Sequence, residues 1–237
     1  MRTAEKRGGQ ARCRALGLLL FAALTIVREA SAQQLIVNGG FEQGTFTETL
    51  NRYEVLTQGG PQHLTGWTIV NSLVWGFGPT DINTRTGSGF VDFTGVGDTK
   101  PHGGLSQVIT TVVGQQYNFS AWVTLDFRGL PVPDRFGMDV FANGTQLTLA
   151  GTPGFWDYSP TGATYGQLTS SFFATSTSTT MLLSGRSYDS QVFMIGVDDV
   201  SVLGPSVITP EPGTAALLAG GFAVLLAVRR RRTFRRA

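Results

Sequence analysis

Cysteine is almost missing from this chain of 237 residues, and the one present, Cys13, lies in the N-terminal segment. A single cysteine rules out an internal disulfide, and a domain beginning after residue 32 has no thiol for catalysis or for a metal. Histidine is scarce as well: His63 and His102 stand far apart, each near proline and glycine, and read as loop hydrogen-bonders rather than as bases or ligands. The sequence also lacks a Gly-x-Ser-x-Gly elbow, a His-Glu-x-x-His helix and a glycine-rich phosphate loop. Two carboxylates suffice for glycoside hydrolysis, but no spacing singles out such a pair. The expectation is a protein that is not an enzyme. Long helical periodicity and internal repeats are absent too, which argues against bundles and solenoids.

Charged side chains make up only 14% of the residues, and they are unevenly placed. Of the 18 basic residues, six lie in residues 1–32 and six more are the arginines of residues 229–237, which leaves six between; of the 16 acidic residues, two lie in residues 1–32 and 14 remain. The central segment therefore carries a net charge near −8, although the whole chain stands at +2. Nucleic acid is not an expected partner, because phosphate neutralisation needs lysine and arginine. The carboxylates are left available to divalent cations.

Both ends read as membrane signals. Arg2, Lys6, Arg7, Arg12 and Arg14 precede an apolar run from Ala15 to Val27, and Ala30-Ser31-Ala32 supplies small residues for cleavage. Residues 1–32 fit a secretory signal peptide, with a retained membrane helix as the alternative because Arg28 and Glu29 interrupt the usual pattern. At the other end, a linker over residues 205–212 closes with Pro210-Glu211-Pro212, and Gly213 to Val228 gives 16 residues without charge. As a helix this run would reach about 24 Å at ~1.5 Å per residue, short of a hydrocarbon core of about 30 Å. Snorkelling arginines close most of that gap. Arg229, Arg230, Arg231 and Arg232, with Arg235 and Arg236, would hold residues 229–237 in the cytoplasm. A buried core helix is the alternative, and six arginines walling one end argue against it.

Pro-Glu-Pro, a short apolar helix and a terminal arginine cluster resemble the PEP-CTERM sorting signal of Gram-negative bacteria. The resemblance implies export through the inner membrane, with that membrane as at least a transient partner. It also implies processing by an exosortase, anchoring by the helix for a time or permanently, and delivery to the cell surface or extracellular matrix.

Residues 33–204 make one domain's worth of chain. Their pattern is short alternating segments between Gly, Asn, Asp and Pro: Leu64 to Val70, Gly89 to Thr94, Gly104 to Val113, Gln116 to Leu125, Arg135 to Ala142, Gln167 to Ala174, Thr179 to Ser184 and Val192 to Leu203. Such spacing predicts an all-β, antiparallel sandwich. Tyr117, Phe119, Ala121 and Val123 alternate with Asn118, Ser120 and Trp122, and Asn143-Gly144 predicts a tight hairpin.

The order Leu35-Ile36-Val37-Asn38-Gly39-Gly40-Phe41-Glu42, Gly66-Trp67-Thr68-Ile69, Gly104-Leu105-Ser106-Gln107, Tyr117 to Val123 and Ile195-Gly196-Val197-Asp198-Asp199-Val200 resembles the galactose-binding-like jelly rolls. These include bacterial carbohydrate-binding modules and the domain of unknown function 642. The resemblance implies that first and last strands meet at a sheet edge, where Glu42 and Asp198 or Asp199 would bind a structural calcium. Alternation favours Asp198 as an inward ligand; strand capping or acceptance of backbone N–H groups without metal is the other reading. A polysaccharide or surface glycan is the implied partner. Sugar sites combine aromatic faces with hydrogen-bonding groups, so Trp75, Trp156, Asp157, Tyr158, Tyr165 and Arg128 are the candidates, while Trp67 and Trp122 read as core. The same loop aromatics could instead plug the ends of the sandwich. The expected function is a non-catalytic, carbohydrate-associated surface protein of the cell envelope or exopolysaccharide matrix. A structural matrix protein without a small ligand is the alternative, and an enzyme on polysaccharide a more distant one.

Overall fold

The computed structural model describes residues 32–46, 53–61, 63–77, 84–95, 101–126, 137–155, 163–186, 194–205 and 220–221. The chain divides into Met1–Ser31 and Ala32–Ala237, and every described residue belongs to the second unit. The expected signal peptide, the Pro210-Glu211-Pro212 motif and the arginine cluster lie outside the described residues, as does the expected membrane helix apart from Gly220 and Gly221. No helix among the described residues is long and apolar enough to cross a membrane.

Two sheets make up the domain. The larger one runs, edge to edge, β10 (Ala150–Gly151), β12 (Gly166–Phe173), β7 (Gln116–Asp126), β14 (Met194–Pro205), β5 (Gly89–Asp92), β4 (Ser72–Phe77) and β2 (Tyr53–Thr57). Within it β1 (Ala32–Gln34) pairs with β14 and β11 (Gly154–Phe155) with β7. The smaller sheet runs β3 (Thr68–Val70), β6 (Gly104–Thr110), β13 (Ser178–Gly185), β8 (Met138–Ala142) and β9 (Thr145–Gln146). Every pairing is antiparallel except that of β11 with β7.

Period-two patterning explains the layering. On β7 the side chains of Tyr117, Phe119, Ala121 and Val123 are buried, and on the facing sheet Leu105, Val140, Met181 and Leu183 are buried with them in one continuous core. Full burial of each large aliphatic or aromatic side chain contributes about 1.5–3 kcal/mol. The expected hairpin is present: β8 and β9 are joined by Asn143 at φ 49° and Gly144 at φ 78°, the backbone signs that a two-residue primed turn requires.

Several strands answer to no segment read from the sequence, and the longest of them are β2 and β4. Gly76 and Gly78 made the stretch around Trp75 look like a loop, but Gly76 sits opposite Phe90, and a Cβ there would lie 2.2 Å from the Phe90 ring. That glycine makes room for a neighbour's side chain inside a strand. Trp75 is accordingly not a loop aromatic. It points inward from β4 with 1% of its surface exposed, its indole N–H donates to the Phe41 carbonyl at 3.0 Å, and Phe46 and Phe77 pack around it.

The first and last strands meet, but in the sheet interior rather than at an edge, because β14 also pairs with β7 and β5. Beyond β1 the chain keeps to β14: Leu35 N–H donates to the Val202 carbonyl and Val200 N–H to the Gly39 carbonyl, both at 2.9 Å. Asn38 and Phe41 take left-handed conformations, at φ 55° and 57°, and turn the chain under Trp67, whose indole N–H donates to the Asn38 carbonyl. At Gly39 a Cβ would stand 1.9 Å from the Val200 carbonyl oxygen, a backbone atom that cannot swing away. Gly39→Ala should therefore destabilise the domain by about 2–3 kcal/mol, read as a lowered urea midpoint; an unchanged midpoint would contradict this packing.

Candidate functional site

The strand alternation that fills the core leaves a second row facing outward from the larger sheet. From β7 it presents Asn118, Ser120 and Trp122; in register beside them stand Ser171, Thr169 and Gln167 of β12 and Leu203, Ser201 and Asp198 of β14. An open groove of about 810 Å³ runs here, with Asn118, Ser120, Gln146, Thr148, Thr169 and Ser171 as its polar lining and Leu147, Ala150 and Leu203 among its apolar lining. Among the described residues no charged side chain lines it. Phe173, 65% exposed, stands one outward position beyond Ser171. At the opposite end, two residues and ~7 Å beyond Ser120, comes Trp122.

Trp122 is half-buried, whereas Trp67 and Trp75 are 3% and 1% exposed. Its assignment to the core is therefore corrected. The guanidinium carbon of Arg85 lies 3.7 Å from the centroid of the Trp122 ring, well within cation–π range.

Arg85 belongs to a strap, residues 84–89, held by the carboxylates that the sequence resemblance singles out. Asp198, fully buried, takes N–H bonds from Arg85 at 3.0 Å and Thr86 at 3.2 Å on one oxygen and from Asp199 at 2.7 Å on the other. Glu42 accepts the N–H groups of Ser88 and Gly89, each at 2.7 Å. Asp199 ion-pairs with Arg85 and accepts the Thr86 hydroxyl at 2.9 Å. Glu42, Asp198 and Asp199 thus converge on one strap, but as acceptors for its donors. Among the described residues no group of three or more His, Cys, Asp or Glu assembles as a ligand set for a metal ion. A calcium ion at these carboxylates would have to compete with five backbone N–H groups and a guanidinium, so this arrangement does not fit one.

Behind the strap lies a buried polar patch. Asp92, paired across β14 with Gly196, accepts the Thr94 N–H and hydroxyl and the Ile195 N–H. Burial pushes its pKa up to about 6 against the pull of those bonds. Burial likewise pushes Asp198 up to about 7, with the Asp199 charge adding to the rise and the strap's N–H groups opposing it. Tyr165 is half-buried with its hydroxyl inside; burial first, then the charges of Asp198, Asp92 and Asp199, raise its pKa, so it stays a neutral phenol.

The sequence candidates thus divide. Tyr165 stands beside the Asp198 patch, and Trp75 is a core residue. Trp156, Asp157, Tyr158 and Arg128 lie outside the described residues. Sequence reading missed Trp122 and Arg85, although the outward parity of Trp122 with Asn118 and Ser120 was a signal for it. His63 Nδ1 is hydrogen-bonded to a Glu54 carboxylate oxygen, and His102 is 1% exposed; neither is among the groove's lining residues.

No protein-family profile matches the sequence. No curated protein matches it either. Among solved structures, the chain is similar to the CBM22-1 xylan-binding domain from Paenibacillus barcinonensis Xyn10C, at 15% identity over 64% of this chain and 93% of that one, with a TM-score of 0.41. It is also similar to a CBM4 structure, at 15% identity, 71% and 99% coverage and TM-score 0.36. A third likeness is to TmCBM61 in complex with β-1,4-galactotriose, at 14% identity, 72% and 97% coverage and TM-score 0.24. Overlaps this loose carry no argument about the groove, whose chemistry rests on its own residues.

The patch sets a pH dependence. The folded values of Asp92 and Asp198 lie above the ordinary unfolded value near 4, so the fold favours their neutral forms. Their contribution to stability is full below about pH 4 and is lost as pH rises through 6 to 7. The thermal midpoint should therefore be higher at pH 5 than at pH 8, and Asp198→Asn should flatten that profile. A midpoint that climbs steadily from pH 5 to pH 8 would contradict it. Adding EDTA should leave the midpoint unchanged at either pH, and a drop would place a metal ion in the fold.

Proposed function

We propose that this domain is a non-catalytic carbohydrate-binding jelly roll which takes a stretch of neutral polysaccharide along the outward face of its larger sheet. One observation carries the reading: a groove whose polar lining is uncharged hydroxyl and amide side chains shares its outward row on β7 with a half-buried tryptophan, Trp122, two residues beyond Ser120. Sugar hydroxyls need donors and acceptors of that kind, and the C–H face of a sugar ring needs an apolar plane beside them. The surplus of acidic residues in the central segment disfavours an anionic polysaccharide.

The same proposal extends to where the protein acts. Residues 1–32 would direct export through the inner membrane of a Gram-negative bacterium. Pro210-Glu211-Pro212, the apolar run to Val228 and Arg229 to Arg232 would present the chain to an exosortase, with the domain then working at the cell surface or in the exopolysaccharide matrix. Support here comes from the order of these segments at the two ends. Mass spectrometry of the termini in the native host is the check: a chain starting at Gln33 and ending just past Pro212 agrees with it, whereas an arginine-rich end retained in the inner membrane makes the anchor permanent.

A second reading, a structural matrix domain with no small ligand, is favoured by one feature, the guanidinium lying over Trp122. Affinity electrophoresis on neutral polysaccharides separates the two. Retardation should be lost, at least tenfold in affinity, in Trp122→Ala with the melting curve preserved. In Trp75→Ala the fold itself should suffer, by about 3–5 kcal/mol. No retardation on any polysaccharide tested would sink the carbohydrate reading.

A further inference from the structure

Resting on that carbohydrate reading, we infer that Arg85 is a built-in occupant of the Trp122 platform and that a saccharide takes the ring by displacing it. The guanidinium covers a ring face at 3.7 Å, so the face that a sugar would use is already filled by the chain itself. The head group has two holds, Trp122 beneath it and the Asp199 carboxylate beside it. Both partners remain open to water, with 31% of the Arg85 and 25% of the Asp199 side chain exposed.

Exposed cation–π contacts and exposed ion pairs are each weak. The strap beneath is not weak: Asp198 and Glu42 hold its backbone at Arg85, Thr86, Ser88 and Gly89, and Thr86 ties it again to Asp199. A firm backbone with a loosely held side chain is the arrangement a displaceable cap requires. Only the rotamer of Arg85 has to change, on the ps–ns timescale of exposed side chains, while the strap stays in place. Asp199 is the positioning residue. Its left-handed backbone, φ 47°, aims the carboxylate across the strap, and asparagine tolerates that conformation.

The cap sets a threshold for ligands. One that stacks well on an indole clears Arg85 away, and one that offers only hydroxyl contacts in the groove leaves it closed. Removing Arg85 should therefore tighten binding, the opposite of what a ligand-contacting arginine would do.

The test is affinity electrophoresis and titration of the full exported chain on hydroxyethylcellulose, xylan and galactan, for wild type, Arg85→Ala, Asp199→Asn and Trp122→Ala. Melting curves confirm that each variant is folded. Arg85→Ala should bind about three- to tenfold more tightly, with Asp199→Asn between it and wild type. With 5-fluorotryptophan incorporated, the Trp122 resonance, assigned by its loss in Trp122→Phe, should shift in unliganded Arg85→Ala. Saturating polysaccharide should bring the wild-type resonance toward the liganded position of that variant. Unchanged or weaker binding by Arg85→Ala overturns the cap and leaves the carbohydrate reading standing. Absence of binding by wild type and Arg85→Ala alike overturns both.

Discussion

The strap over Trp122 depends on one buried carboxylate. Asp198 has no exposed surface, and its oxygens accept the backbone N–H groups of Arg85, Thr86 and Asp199. A carboxylate in such a place costs several kcal/mol unless its acceptor sites are filled, and the donors come from a strap over a hundred residues earlier in the chain. The β14 strand departs from regular pairing between Asp198 and Ser201, and Asp199 turns left-handed there. That bulge frees the Asp199 carboxylate to point at the strap, and it lets Val200 bond to Gly39. One irregularity in the last strand therefore fixes the N-terminal segment, the strap and the arginine over Trp122.

The convergence of Glu42, Asp198 and Asp199 was implied by the jelly-roll resemblance, and their chemistry only in part. Two readings were open for them, cation ligands or acceptors of backbone N–H groups, and no spacing in the sequence distinguishes these. What decides is the strap at residues 84–89, whose approach to β14 is a tertiary event invisible in local pattern. Most strands and the Asn143-Gly144 hairpin were legible for the converse reason, since alternation and turn chemistry are local. The strand β4 was hidden because Gly76 answers to the bulk of Phe90 on the neighbouring strand, not to a turn.

Trp75 and Trp122 exchanged roles for related reasons. Glycines around Trp75 suggested a loop, and the place of Trp122 within a strand suggested the core. Parity contains the right answer for Trp122: a residue one step from Ala121 and Val123 on a strand must face away from them. Bulk and hydrophobicity are poorer guides than register wherever a sheet has one face packed and the other open to a ligand.

The acidic surplus of the central segment takes on a different meaning in this light. Glu42 and Asp198 are engaged by backbone donors, Asp199 by Arg85, Asp139 by Arg186 and Glu54 by His63. These carboxylates hold straps, strand ends and loops, and the groove is left to hydroxyls and amides. Physiological salt screens exposed charges beyond about 8 Å, so a neutral chain in the groove meets local hydrogen-bond chemistry with little field from the rest of the surface. A polyanion would meet the net charge on approach, and Arg85, over Trp122, is already paired with Asp199. On the proposed reading, selection by charge acts at encounter, while selection among neutral chains falls to the groove's polar rows and to whatever can lift a guanidinium from Trp122.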